Sequence, residues 1–139
     1  MTIIYTLLVG HFVADFLCQS DWMALNKSKR WDALVLHVAI YTAVMGVMTY
    51  ALAPTLVGWL LFVLVTALSH FATDAVTSRI TSRLWFIEFY PRADHSPNYY
   101  GAYPLYARVG ATRHWFFVAI GADQLLHYIT LFVTADWWL

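Results

Sequence analysis

TLVGWLLFVLVTALSHFATDAVTS, from Thr55 to Ser78, is the stretch that decides the fold of this chain. A run of about 20 mostly apolar residues is long enough to cross the hydrocarbon core of a bilayer as an α-helix. Its ionisable side chains, His70 and Asp74, would be costly in contact with lipid, so they indicate a polar site inside a helix bundle. Their spacing of four residues places both on one face of the helix, one turn apart.

Three further stretches have the same apolar character, and together with the first they predict four membrane spans. The spans are expected at about residues 2–19, 32–53, 55–78 and 115–135. The composition agrees, because 61% of the residues are hydrophobic and 12% are charged, whereas a soluble domain carries about 25% charged residues. We therefore predict an all-α integral membrane four-helix bundle, with residues 1–139 forming a single transmembrane domain.

The positive charges indicate how the bundle is oriented. All eight Lys and Arg residues fall in two connections, 20–31 and 79–114. The positive-inside rule places both connections in the cytoplasm, so both termini are expected outside. No Lys or Arg precedes Lys27, so we expect the first span to be retained rather than cleaved as a secretory signal. The net charge of zero provides no basic surface for nucleic acid.

The connection 79–114 is rich in aromatic residues and contains several prolines. Its first part, 80–90, is compatible with an interfacial helix, and 98–104 is expected to be an irregular aromatic loop. Aromatic rings of this kind anchor a protein at the membrane surface. The alternative is a lid over a cavity that faces the cytoplasm.

Three pairs of ionisable residues share one spacing: His11 with Asp15, His70 with Asp74, and Asp123 with His127. The order of the third pair is reversed, and so is the expected direction of its helix. All three helices therefore present a deeper histidine and a shallower aspartate. This pattern predicts a layer of imidazoles and a layer of carboxylates about one helical turn apart, in the cytoplasmic half of the bilayer.

Carboxylates buried in apolar spans must either be protonated or find a cation. The available cations are protonated histidines, an ion from solution, or an arginine that reaches in from the loops. Histidine and aspartate together suit Zn, Mn or Fe, so we predict one or two divalent ions. The candidate metal ligands are the members of the three pairs: His11, Asp15, His70, Asp74, Asp123 and His127.

Other roles are expected for residues near the pairs. His37 lies at a similar depth in the second span, and His37, Asp15 and Asp123 are the candidates for proton transfer in catalysis. Gln19, His37 and Gln124 are expected to hydrogen-bond to the ligands rather than to bind the ion.

The run HFVADFLCQSDWMALNK, residues 11–27, resembles the opening of a family of small bacterial and phage membrane proteins labelled domain of unknown function 3307. The later parts of the family pattern match a histidine in the second helix, a His-x-x-x-Asp helix and a final Asp-Gln-x-x-His helix. The resemblance implies a site at these residues without naming an activity. It also implies the bacterial inner membrane, or the host inner membrane for a phage-encoded member, as the location of this multi-pass chain.

Three functions are compatible with such a site. The favoured hypothesis is a metal-dependent hydrolase, in which a metal-activated water attacks a lipid-linked or amphipathic substrate, such as a phosphoester, from the cytoplasmic leaflet. A second hypothesis is a proton or metal-ion transporter that uses the same His and Asp residues. The third is a structural or partner-binding membrane protein without catalytic activity. The expected partners are membrane lipid and a lipid-linked substrate, and the sequence also allows a homo-oligomer.

Overall fold

The computed structural model describes residues 2–89 and 114–139, and within them the chain is all-α. The described helices, in chain order, are α1 (Thr2–Phe12), which continues as a π-helix (Val13–Leu17), α2 (Asp21–Asn26), α3 (Trp31–Thr49), which continues as a 3-10 turn (Tyr50–Leu52), α4 (Leu56–Phe89) and α5 (His114–Trp138). The prediction of an all-α fold is thereby confirmed for this part of the chain.

Three of the helical segments are long and apolar enough to cross a membrane. They are Trp31–Leu52, Leu56–Trp85 and His114–Trp138. The first apolar helix, Ile3–Leu17, is shorter, and its length of about 22 Å is less than the roughly 30 Å of a hydrocarbon core. It stops there because Ser20 starts a new helix: its hydroxyl accepts a hydrogen bond from the backbone N–H of Met23 at 3.4 Å.

Two elements differ from the predicted boundaries. Helix α4 continues past Ser78 to Phe89, because no proline or glycine interrupts the chain until Pro91. The expected interfacial helix at 80–90 is thus, as far as Phe89, an extension of α4. The connection 20–31 contains the short helix α2. The predicted aromatic loop at 98–104 and its role as a lid or anchor lie outside the described residues.

The apolar core lies at one end of the bundle. The most extensive helix contact is between α4 and α5, followed by the contact between α3 and α4. Leu7, Met45, Phe62 and Leu131 are each no more than 1% exposed and belong to one packed cluster. Leu7 and Phe62 precede the predicted site histidines of α1 and α4 in the chain, whereas Met45 and Leu131 follow those of α3 and α5. The core therefore closes the side of the site where α1 and α4 begin.

Helices α4 and α5 approach closely at Gly58. A Cβ atom at this position would lie 2.9 Å from the backbone oxygen of Trp138 and 3.0 Å from Oγ1 of Thr55. Real Cβ atoms essentially never approach a backbone oxygen so closely. At Gly121, in contrast, no described atom lies within 4 Å of the corresponding Cβ position.

We expect Gly58→Ala to destabilise the protein by about 1–3 kcal/mol, because the end of α5 must move away from α4. The matched control, Gly121→Ala in α5, should leave stability unchanged or raise it by about 0.5–1 kcal/mol, because alanine favours the helix. Thermal unfolding of both variants in the same detergent measures the difference. Equal melting temperatures for the two variants would contradict the close contact.

Candidate metal centre

The first site residue, Asp15, lies in an unusual turn. Residues Val13–Leu17 form a π-helix, in which the backbone N–H of Cys18 donates to the carbonyl of Val13 at 2.9 Å. Such π-turns are rare and frequently occur at functional sites. Here, Asp15 Oδ2 lies 3.7 Å from Nε2 of His11, while Oδ1 points towards α3 and lies 3.0 Å from Nε2 of His37.

The structure brings together the members of the three pairs and His37. Six of these seven residues are almost entirely buried, with exposed fractions of 0–5%: His11, Asp15, His37, His70, Asp74 and His127. Asp123 is partly exposed, at 16% of its side chain. The rings of His11, His70 and His127 lie 4.2–6.2 Å apart, centroid to centroid. The histidines thus form one group, and within each pair the carboxylate reaches to 3.4–3.7 Å from its imidazole.

Four of these residues, from three helical segments, form a first set of ligand atoms. They are Asp15, His37, His70 and Asp74, whose ligand atoms all lie within 4.8 Å of one another. Nε2 of His37 is 3.1 Å from Asp74 Oδ2 and 3.1 Å from Nε2 of His70. Nε2 of His70 is 3.6 Å from Asp15 Oδ1 and 3.7 Å from Asp74 Oδ2.

These spacings match a coordination polyhedron. Ligands about 2.0–2.1 Å from a central ion are separated by about 3.3–3.4 Å in a tetrahedron and by about 2.9–3.0 Å at neighbouring corners of an octahedron. The spacings that involve His37 or His70 are 3.0–3.7 Å, and all four ligand atoms lie within 4.8 Å of one another. The first set could therefore hold a divalent ion with little rearrangement.

A second set is formed by Asp74, Asp123 and His127. Nε2 of His127 lies 3.4 Å from Asp74 Oδ1 and 3.4 Å from Asp123 Oδ1. Asp74 belongs to both sets, and it turns Oδ2 towards the first and Oδ1 towards the second. The Asp123 Oδ1 atom also accepts a hydrogen bond from the hydroxyl of Thr77.

Some buried atoms in the cluster have no partner that satisfies them. Within the described residues, Asp15 Oδ1 and His127 Nε2 make no hydrogen bond, although both lie close to other site atoms. An unsatisfied buried polar atom costs about 1–3 kcal/mol, and more when the group is charged. Both atoms belong to the sets described above, so coordination of an ion would satisfy them.

The cation that the sequence prediction overlooked is Lys27. Its ammonium group donates to Asp74 Oδ2 at 2.9 Å and lies 3.4 Å from Nε2 of His37. In the sequence this lysine counts only as a positive charge in a cytoplasmic connection. The signal that could have identified it is its place in the family pattern, where it follows the first motif. Lys27 compensates one of the three carboxylates.

His11 takes a different position from the other histidines. Its Nε2 donates to the side-chain oxygen of Gln124 at 3.0 Å, and its Nδ1 lies 3.1 Å from the hydroxyl of Tyr41. The amide nitrogen of Gln124 donates to Asp15 and to Asp123, each at 3.1 Å. Both ring nitrogens of His11 are therefore engaged outside the two sets, and Gln124 orients two carboxylates. Tyr41 was not singled out from the sequence.

A cleft of about 460 Å³ leads to the cluster from the side opposite the apolar core. Its polar lining includes Asp15, Gln19, Lys27, Asp74, Asp123 and Gln124. Its apolar walls include Phe16, Leu25, Trp85, Phe116 and Ile120. Gln19, predicted as a hydrogen-bonding partner of the ligands, lines this cleft, and its Oε1 makes no hydrogen bond within the described residues. The arrangement joins a polar site to an apolar channel, as an amphipathic ligand would require.

Comparison with known proteins adds the family. The family model described as protein of unknown function (DUF3307) matches residues 3–138. No curated protein and no solved structure matches the chain. The match covers nearly the whole sequence and agrees with the resemblance seen in residues 11–27. The chain belongs to the DUF3307 family.

Proposed function

We propose that this protein is a membrane-embedded, metal-dependent hydrolase that acts on a lipid-linked or amphipathic substrate. The observation that carries the proposal is the buried His/Asp cluster at the floor of a cleft with apolar walls. In proteins generally, a concave apolar pocket with a few converging polar groups is the usual place for ligand binding.

The membrane arrangement follows from the charges. We propose four spans, with the short first helix as one of them and both positively charged connections in the cytoplasm. Helices shorter than the bilayer are accommodated by local thinning and by polar residues at their ends. The cleft is lined by Lys27 and Lys29, so in this topology it opens on the cytoplasmic side. The chain is then a multi-pass protein of a bacterial inner membrane, or of the host inner membrane for a phage-encoded chain.

The ligand chemistry favours Zn, Mn or Fe. Imidazole and carboxylate together suit these ions, whereas Mg²⁺ and Ca²⁺ prefer oxygen ligands alone. We propose Asp15, His37, His70, Asp74, Asp123 and His127 as the ligands, and His11 and Gln124 as the groups that orient them. A bound divalent ion of this type lowers the pKa of a water molecule and so supplies a nucleophile at neutral pH.

The residues around the cluster support an anionic, amphipathic substrate. Lys27 lines the cleft, and its ammonium group can hydrogen-bond to a phosphate there as a point charge. The aromatic and aliphatic walls suit an acyl or prenyl chain. We therefore favour a phosphoester with a lipid tail.

Hydrolysis of such an ester needs one proton acceptor near the nucleophile. The oxygen of a water forms a bond to phosphorus, the bond from phosphorus to the ester oxygen breaks, and the proton that the water gives up passes through the acceptor to the departing oxygen. We assign the acceptance of the water proton to the Asp123 oxygen that does not bind the ion, because Asp123 lines the cleft and is the most exposed carboxylate of the cluster.

Transport is less well supported by the same geometry. An ion pathway would need polar groups on both sides of the cluster. On the side away from the cleft, the space between the helices is filled by Leu7, Met45, Phe62 and Leu131. This packed layer favours a site with access from one side over a channel through the bundle.

The proposed topology predicts opposite results for fusions at two positions. Alkaline phosphatase fused after Leu139 should be active, because it folds only after export, and green fluorescent protein fused there should be dark. Green fluorescent protein fused after Lys29 should be fluorescent. The reverse pattern at either position would contradict the proposed topology.

The hydrolase activity is tested with phosphatidic acid in mixed micelles and protein loaded with MnCl₂. We expect release of inorganic phosphate, and we expect Asp74→Asn to reduce the rate by at least about 100-fold, because even residues behind the ligands contribute 10–100-fold. The matched control is Asp32→Asn, which removes an exposed carboxylate paired with Arg30 and should retain the rate.

Two results would contradict this activity. One is the absence of product from phosphatidic acid and from a panel of other phospholipids with the metal-loaded protein. The other is an equal loss of rate in Asp74→Asn and Asp32→Asn, which would indicate a general defect in folding rather than a site at Asp74.

The role of Lys27 is tested with the same substrate. Lys27→Gln should raise the KM for phosphatidic acid by about 10-fold or more, because a hydrogen bond to a charged group contributes about 1.5–3 kcal/mol. Lys27→Arg should restore part of the binding, and the metal content should be retained in both variants. An unchanged KM in Lys27→Gln would contradict the role of this lysine in substrate binding.

A further inference from the structure

We infer that the cluster holds two divalent ions, with Asp74 as a bridging ligand between a position with four protein ligands and a position with three. The inference rests on the proposed metal binding and goes further, because it divides the ligands into two sets with different tasks. The starting observation is the carboxylate of Asp74, whose two oxygens face different partners: Oδ2 faces His37 and His70, and Oδ1 faces His127.

The first position has a full set of four protein ligands. Its ligand atoms come from four residues, Asp15, His37, His70 and Asp74, which are each no more than 5% exposed. Four protein ligands complete a tetrahedral site of the structural type. An ion at this position would join α1, α3 and α4, and it would satisfy Asp15 Oδ1, which makes no hydrogen bond within the described residues.

The second position is open towards the cleft. Its ligand atoms come from three residues, Asp74, Asp123 and His127. Three protein ligands and a free position are typical of catalytic sites, where water or substrate supplies the fourth ligand. Asp74 and Asp123 both line the cleft, and the 2% exposed His127 has an Nε2 without a hydrogen bond in the described part of the chain.

The charges of the cluster connect this second ion with an anionic substrate. Asp15, Asp74 and Asp123, together with the ammonium group of Lys27, carry a net charge of −2 when the imidazoles are neutral. One divalent ion balances this charge, and a second makes the floor of the cleft positive. The second ion therefore gives the cleft the charge that attracts a phosphate group. Sharing of one carboxylate by two ions is common in helix bundles.

The experiment counts ions and measures their coupling, without using activity. The full chain, purified in detergent, is incubated with excess MnCl₂ and desalted, and its manganese content is measured together with the electron paramagnetic resonance spectrum. We expect two manganese ions per chain and a broadened spectrum from two exchange-coupled ions. Asp123→Asn and His127→Gln, which each alter only the second set, should retain one ion and show the six-line spectrum of isolated manganese.

Asp32→Asn is the matched control for Asp123→Asn and should retain two coupled ions, because Asp32 is exposed and lies outside both sets. Helical circular dichroism monitors folding in every variant. One uncoupled ion per wild-type chain would overturn the second position and leave the proposed hydrolase intact. No bound manganese in the wild type, with the same result for zinc, would overturn both. Two coupled ions in both Asp123→Asn and His127→Gln would overturn the assignment of the ligands.

Discussion

The rest of the structure depends on the grouping of three carboxylates, two of them buried, beside four buried imidazoles. Asp15 and Asp74 are almost inaccessible to solvent, and the ligand atoms that they contribute to the first set lie within 4.8 Å of each other. At an effective dielectric constant of about 20, two like charges at about 4 Å repel each other by about 4 kcal/mol. A bundle that brings these groups together therefore requires positive charge at the same place. Lys27 supplies part of it, and a divalent ion held by the His/Asp groups, as proposed above, would supply the rest.

This constraint explains how the scaffold is divided. At one end of the bundle, close packing of Leu7, Met45, Phe62 and Leu131 holds the helices together. At the other end, helix α2 and the extension of α4 surround a cleft. Between the two lies the cluster, where the π-helix directs Asp15 towards α3. The packed end of the four apolar helices thus stabilises the bundle, and the other end gives ligands access to the cluster.

Much of this arrangement could be predicted from the sequence, because it depends on periodicity. The pair His70 and Asp74, one turn apart in an apolar run, identifies both a helix and its polar face. Contacts between distant segments follow no such local rule. The chain gives no local sign that Tyr41 approaches His11, or that Lys27 folds back onto Asp74.

The end of helix α4 differs from the predicted boundary. The end of α4 was placed at Ser78 because the apolar run ends there, but a helix needs only an unbroken backbone to continue, and α4 runs on to Phe89. His11 and His37 show the limit of spacing as a guide. The i,i+4 pattern favoured His11 as a ligand, whereas the positions of α3 and α5 place His37 in the first set and engage His11 with Gln124.

The apolar walls of the cleft have a consequence for how substrate would be supplied. Phe16, Leu25, Trp85 and Phe116 would face the tail of a lipid-borne molecule, so such a molecule would enter by diffusing laterally in the leaflet. Its effective concentration would then be a surface density, expressed as a mole fraction of the lipid rather than as molarity. For the proposed hydrolase, dilution of the substrate with inert lipid would slow turnover even at a constant bulk concentration, and the composition of the membrane itself would set its working range.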